Sequence, residues 1–199
     1  MGDGLVVVEV GAAAELLAGF VEDVNKNVML FIRMAEILIR ETGSTEFMWL
    51  GFQDDQLYDP WIREYCKKKG LSKRVKILGK MQHNEGFYSL VSSANAVAVP
   101  SFRESFSLAS IEAIYLGKPV LAFANGGSEA YLNSDTGVTA RNYDEKDFIQ
   151  KARWLMKNHS NFQIDKMKKI AFALMLTFGF VVAPGLSGLS NVQAQGWGN

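Results

Sequence analysis

Two carboxylates stand eight residues apart in Pro100-Ser-Phe-Arg-Glu104-Ser-Phe-Ser-Leu-Ala-Ser-Ile-Glu112. The apolar run Ala94–Val99, stopped by Pro100, predicts a strand, and Ser107–Leu116, stopped by Gly117, predicts a helix. Glu104 then lies on the loop after a strand, and Glu112 lies inside the following helix. The amino end of a helix carries unpaired N–H groups and partial positive charge, so the Ser105–Leu108 turn can hold an anion such as a diphosphate. A carboxylate one to two turns further in can reach vicinal hydroxyls such as those of a ribose. Each such charged hydrogen bond contributes roughly 1.5–3 kcal/mol. Taken alone, a Glu pair at this spacing is common and reads equally as a loop charge and a solvated helix face.

Other chemistries lack their residues. The chain has no G-x-x-x-x-G-K-[ST] loop, no H-E-x-x-H, no G-x-S-x-G and no G-x-G-x-x-G after a strand. Asp54, Asp55 and Asp59 follow a strand, but no Asp-x-Asp metal pair exists, and they read as a solvated loop and cap. One Cys and two His are too few for a structural zinc site, so no metal is expected. Cys66 cannot close an internal disulfide, which fits a reducing compartment. Lys plus Arg number 21, as do Asp plus Glu, so no basic excess drives nucleic-acid binding. The 199 residues, 48% apolar, suffice for one good core but not for two large domains.

The elements that must position the carboxylates alternate along the chain. Helical patterns cover Asn27–Arg40, Asp59 to about Lys69 (capped by Asp59 with Pro60 at the first position), Glu85–Ser93, Ser107–Leu116 and Glu145–Lys157. Between them lie strand patterns over Phe47–Gly51, Arg74–Gly79, Ala94–Val99, Pro119–Phe123 and Val138–Ala140. This order predicts an α/β fold, a Rossmann-like parallel sheet with helices on both faces. Ligands of such sheets bind at the carboxyl ends of the strands, where strand order reverses. The loops after Gly51, Gly79, Pro100 and Phe123 are all carboxyl-end loops and can gather at one rim.

The two ends are harder to place. Leu5–Val10 is a candidate first strand, but Gly11–Ala18 is Ala-rich and gives no clear element; residues 1–18 are therefore set apart from a domain over 19–160. Lys166-Met-Lys-Lys, the apolar run Ile170–Ala183 and the close Val192-Gln-Ala follow a signal-peptide pattern at the wrong terminus. Residues 161–199 are read as a tail outside the domain. A foreign read-through segment and a membrane-associating or packed helix both remain open for it.

Strand, Pro-Ser, loop Glu, aromatic, helix, Glu-Ala, then Leu116-Gly-Lys-Pro-Val and Asn125-Gly-Gly, in this order, resemble the donor-binding domain of retaining glycosyltransferases of the GT-B fold (family 4 type). Gly19-Phe-Val-Glu-Asp-Val-Asn-Lys26-Asn27 resembles that family's domain-opening Gly…Lys-Asn or Lys-Gly segment, and Trp49-Leu-Gly51 and Arg74–Gly79 match its next two strands. The resemblance runs from about Gly19 to Lys157. It implies the carboxyl-terminal half of a GT-B fold, working in the cytoplasm. The expected reaction moves a hexosyl group from a nucleotide diphosphate sugar to a saccharide or lipid-linked acceptor with retention and without a metal.

The resemblance also assigns roles. Glu112 would hold the donor ribose, and Glu104 would sit near the transferred sugar or its leaving phosphate. Backbone N–H groups of Ser105, Phe106, Ser107 and Leu108 would cradle sugar and diphosphate. Lys26 would neutralise the leaving diphosphate as a fixed charge in place of a metal. Lys80–His83 would lie near the base, and Gly126 and Gly127 would let the backbone approach the ligand. Three departures bear on catalysis more than on donor binding. Ser105 and Ser107 stand where the family often has Gly, no Arg precedes Lys26 in the usual place, and Gly126-Gly127 lies one residue closer to Glu129 than usual. The amino-terminal acceptor domain of that fold has no room here, so it would have to come from elsewhere. A non-catalytic nucleotide-binding module and a related epimerase or glycogen-type synthase are the competing expectations. Peripheral membrane association through the apolar tail is a further one.

Overall fold

The computed structural model describes residues 4–8, 26–50, 58–79 and 84–177. Among them, strands β1 (Gly4–Val8), β2 (Glu46–Leu50), β3 (Val75–Gly79), β4 (Ala96–Val99), β5 (Val120–Phe123) and β6 (Gly137–Ala140) form one sheet in the order β3-β2-β1-β4-β5-β6. Every pairing is parallel. Helices α1 (Val28–Thr42), α2 (Tyr58–Lys68), α3 (Glu85–Ser93), α4 (Leu108–Tyr115), α5 (Glu145–Asn158) and α6 (Ile164–Thr177) cover it.

Side chains alternate across a strand, and the two cores follow that alternation. Ala96, Ala98, Leu121 and Phe123 join α1, α2 and α5 in one core, where Phe31 packs on Trp49 at 5.1 Å between ring centroids. Val97, Val99, Val120 and Ala122 join α3, α4 and α6 in the other. Strands buried on both faces need near-continuous apolar runs; β4 (AVAV) and β5 (VLAF) are buried at every position.

The predicted elements recur with small shifts at their ends, and α3 matches its expected span to the residue. Asp59 does not cap α2, because the helix already begins at Tyr58 and puts Asp59 in its first turn. The expected boundaries at 19 and 160 prove too narrow. β1 sits at the centre of the sheet, bonded to both β2 and β4, so Gly4–Val8 belongs to the domain. Helix α6 belongs to it as well: Met167, Ala171 and Met175 recur four apart, form a single stripe and are buried against α4. A Cβ on Gly117 would come within 2.6 Å of Ile164, which shows how closely α6 meets the end of α4. Residues 9–25, 51–57, 80–83 and 178–199 lie outside the described residues, and with them Gly11–Ala18, Asp54, Asp55, His83 and the end of the tail. No helix among the described residues is long and apolar enough to cross a membrane.

If α6 is part of the core, truncating Met167 (0% exposed) should cost about 2–5 kcal/mol. Phe172→Ala on its outer face should stay within about 0.5 kcal/mol. Urea unfolding of the two variants checks this, and equal small losses would put α6 outside the folded unit.

Candidate functional site

The strand order 3-2-1-4-5-6 reverses direction between β1 and β4, so the crevice outside their carboxyl ends is where a ligand is expected. The connection from β1 ends at Lys26, and the loop after β4 carries Glu104. These two residues, 78 apart in sequence, meet there: Lys26 Nζ donates to Glu104 Oε1 at 3.1 Å. Both side chains are largely buried, at 15% and 17% exposure.

Local backbone geometry places Lys26. Asn27 adopts a left-handed conformation (φ 57°), and its Oδ1 accepts from Leu30 N to cap α1. Only Gly and, less readily, Asn visit this region without much cost. That accounts physically for a Lys-Asn or Lys-Gly pair at the start of this helix.

The Glu104 loop is held from the other side by the loop after β5. Asn125 Nδ2 donates to Ser101 O at 3.2 Å, its Oδ1 accepts from Ser128 N, and Ser128 Oγ donates to Phe123 O. A Cβ on Gly127 would lie 2.2 Å from Glu104 O and 2.7 Å from Ser105 O. This corrects one expectation: the close approach that Gly127 permits is to the Glu104–Ser105 backbone rather than to a ligand. Gly126 keeps the expected freedom, with φ 92° and open space where a side chain would stand. Its N–H donates to Glu129 Oε2 at 2.6 Å.

Ser107 is the amino cap of α4, so its hydroxyl is committed to the fold. Its Oγ accepts from Ser110 N at 3.3 Å and from Ser110 Oγ at 3.0 Å. Tyr131, 2% exposed, packs edge-on against Phe106 and brings its hydroxyl toward both serines. Around that buried cluster, Ser105 and Leu108 are exposed and Phe106 is half-buried. The free amino end of α4 thus faces outward at the same rim as the ion pair.

Glu112 stands one turn inside α4, half-buried. Burial raises its carboxyl pKa to about 7. Its charge also helps push up the phenol of Tyr88, an effect second to that group's own burial. Desolvation of this kind, beside a helix end in a cleft, is typical of functional sites.

Sequence reading missed several supports. Asn125 and Ser128 could have been found, since Asn followed three residues later by a backbone donor is a turn signature. Tyr88 and Tyr131 gave no signal, being aromatics at ordinary core positions. The stacked rings Phe123, Phe102 and Tyr143 at the rim, with Arg103 Nε 3.4 Å from Tyr143 Oη, were likewise not foreseen. No cluster of metal-ligating side chains occurs among the described residues.

Comparison with known proteins bears on this geometry. D-inositol 3-phosphate glycosyltransferase from Nocardia farcinica is 33% identical over 111 residues, 55% of this chain but 24% of that protein. Sucrose-phosphate synthase from Thermosynechococcus elongatus superposes with a TM-score of 0.69 at 20% identity, covering 98% of this chain and 45% of the other. The pneumococcal O-GlcNAc transferase, solved with UDP and GlcNAc, superposes with a TM-score of 0.66 at 16% identity, covering 95% of this chain and 35% of that one. The chain therefore spans about a quarter of its curated relative and under half of either solved neighbour. Its fold is that of the carboxyl-terminal domain of GT-B glycosyltransferases. The family described as "Glycosyl transferases group 1" matches residues 15–158, and the chain belongs to that family.

Proposed function

We propose that this chain is the donor-binding half of a glycosyltransferase that moves a hexosyl group from a nucleoside diphosphate sugar to an acceptor, with retention of configuration. The observation that carries the reading is the Lys26–Glu104 pair at the β1/β4 crevice, beside the outward-facing amino end of α4. The diphosphate lies across that helix end, where backbone N–H groups and the helix dipole favour negative charge. Lys26 turns from Glu104 to the phosphates and balances the charge that grows as the nucleotide leaves. Glu104, released from the ammonium, accepts from hydroxyls of the transferred sugar. Glu112 accepts from the ribose hydroxyls, one turn deeper along α4. The leaving phosphate takes the proton of the attacking acceptor hydroxyl, so the sugar–phosphate bond breaks as the new glycosidic bond forms on the same face.

Because Lys26 supplies a fixed positive charge at the phosphates, we assign no metal to the site. The acceptor is held by an amino-terminal domain of the kind that the GT-B fold sets beside this one. The buried, unpaired Cys66 thiol suits a reducing compartment, and a cytoplasmic setting is part of the proposal.

Two measurements test the site. Titration calorimetry with UDP and with uridine should show Lys26→Ala weakening UDP by about tenfold or more, from the loss of a roughly 1.5–3 kcal/mol charged hydrogen bond. Uridine, which lacks the diphosphate, should be unaffected, and a chelator should change neither. Equal losses for both ligands would take Lys26 away from the phosphates.

The second measurement is pH dependence. Only the Glu112 carboxylate accepts two ribose hydroxyls, and its pKa is raised to about 7. UDP affinity should therefore rise with pH through about 7, and the rise should flatten in Glu112→Gln. Folding stability runs the other way. The folded-state pKa lies above the ordinary carboxylate value of 4.5, so the folded state holds the extra proton between the two values. Stability conferred by the protonated form is full below 4.5 and is lost as pH rises through about 7. Glu112→Gln should consequently unfold later than the parent above neutral pH, and earlier unfolding of the variant there would contradict the buried-carboxyl assignment.

A further inference from the structure

The chain is neutral overall, with 21 basic and 21 acidic residues, but the charges are unevenly spread. Residues 58–79, which build α2, the following turn and β3, hold seven Lys or Arg against two Asp or Glu. That leaves fourteen against nineteen for everything else. One edge of the sheet is thus strongly cationic, and the remainder carries the compensating negative charge.

β3 is the outermost strand on that side, bonded to β2 alone among the described strands. On its outer side, Pro60, Arg63 and Lys67 of α2 face Lys76, Ile77 and Leu78 of β3 across a groove of about 530 Å³. The Arg63 guanidinium spans the groove and donates to Ile77 O at 2.8 Å. The acidic residue in the lining, Glu64, is 52% exposed and 3.9 Å from Lys68. Lys76 lies 3.1 Å from Glu46 and Lys69 lies 3.8 Å from Glu36. Exposed pairs of this kind are worth little and do not cancel the excess. Lys67, Lys68, Lys69 and Lys73 are all exposed.

Bulky apolar groups stand among these cations. Trp61 is 51% exposed and packs on Tyr65, with ring centroids 5.7 Å apart, and Leu78 is 40% exposed. A nucleic-acid backbone would satisfy the lysines but gives an exposed Leu nothing to bury against. An acidic bilayer surface satisfies both, because Trp favours the headgroup level and clustered Lys and Arg are drawn to anionic lipid.

We propose that this edge seats the domain on an acidic phospholipid surface. Arg63, Lys67, Lys73 and Lys76 take headgroup phosphates, while Trp61 and Leu78 enter the boundary between headgroups and acyl chains. The seat lies two strands away from the β1/β4 crevice and does not depend on the donor-site reading.

Co-sedimentation of the full chain with phosphatidylcholine vesicles, with and without phosphatidylglycerol, tests this. Binding should require phosphatidylglycerol and weaken as salt rises. At about tenfold per 1.4 kcal/mol and about 1 kcal/mol per basic residue, the double variant Lys67→Gln/Lys73→Gln should bind about thirty-fold more weakly. Trp61→Ala should lower binding without changing its salt dependence. The control Lys146→Gln/Lys157→Gln on α5 should bind as the parent does, and UDP titration should be the same for all variants. Equal binding to neutral vesicles, or undiminished binding by the Lys67/Lys73 variant, would overturn the proposal by assigning capture to another part of the chain. Tighter binding to duplex DNA or RNA than to acidic vesicles at the same salt would overturn it in favour of a nucleic-acid surface.

Discussion

A parallel sheet covered by helices on both faces leaves no face on which to build a site. Here Ala98 and Phe123 point into one core and Val99 and Ala122 into the other, so both sides of β4 and β5 are spent on packing. Polar chemistry is left to the strand ends, and strand order decides which ends matter. The reversal between β1 and β4 opens the one crevice that two connections leave in opposite directions. Lys26 and Glu104 come from those two connections. Their meeting at 3.1 Å is a consequence of topology as much as of attraction.

That ion pair also explains how a ligand-free site can tolerate a largely buried lysine. Removing a charge from water is costly unless a partner stands beside it, and breaking such a pair by deleting one member costs more than the pair contributes. Glu104 serves as that partner. On the proposed reading, a diphosphate would bring negative charge to the same place, so Lys26 could change partners without losing its compensation. Glu112 differs: burial raises its carboxyl pKa to about 7. One carboxylate thus stands beside a cation, while the pKa of the other is raised by burial.

Much of this was legible in the sequence because local and global signals agree. Glu85–Ser93 has an Asn cap before it and a strict apolar face, and its predicted span is its observed span. Glu104 and Glu112 were singled out from their places after a strand and inside a helix, and Lys26 from the family resemblance alone. The structure brings Lys26 and Glu104 within 3.1 Å of each other, a contact the sequence did not announce. What failed did so for identifiable reasons. The apolar content of the run after Lys169 suggested a tail, whereas the spacing of Met167, Ala171 and Met175 is what decides that α6 packs on α4. β1 was set outside the domain because the Ala-rich stretch after it gives no element to anchor a boundary. Gly127 was correctly singled out but given the wrong neighbour, since a glycine announces a close approach without saying what approaches. The raised pKa of Glu112 comes from its burial and could not be read from the chain at all.

The serines at 105 and 107, which stand where the resembled family often has glycine, are not equivalent departures. Ser107 turns its hydroxyl inward to cap α4, a role worth about 1 kcal/mol over alanine that glycine fills almost as well. Its side chain is 4% exposed, so it takes no room from a sugar, and it strengthens the helix end that would hold the diphosphate. Ser105 is exposed on the outward side of the same turn. Of the two, it is the one whose side chain meets whatever lies against the helix end. The short spacing from Gly126 to Glu129 is absorbed in a similar way, with the Glu129 carboxylate accepting from Gly126 N and closing the loop on itself. Ser107 and the short Gly126–Glu129 spacing are therefore taken up by the fold, while Ser105 is not. The burden of the remaining departure, an opening segment with no arginine before Lys26, falls on the single ammonium that Glu104 holds in place.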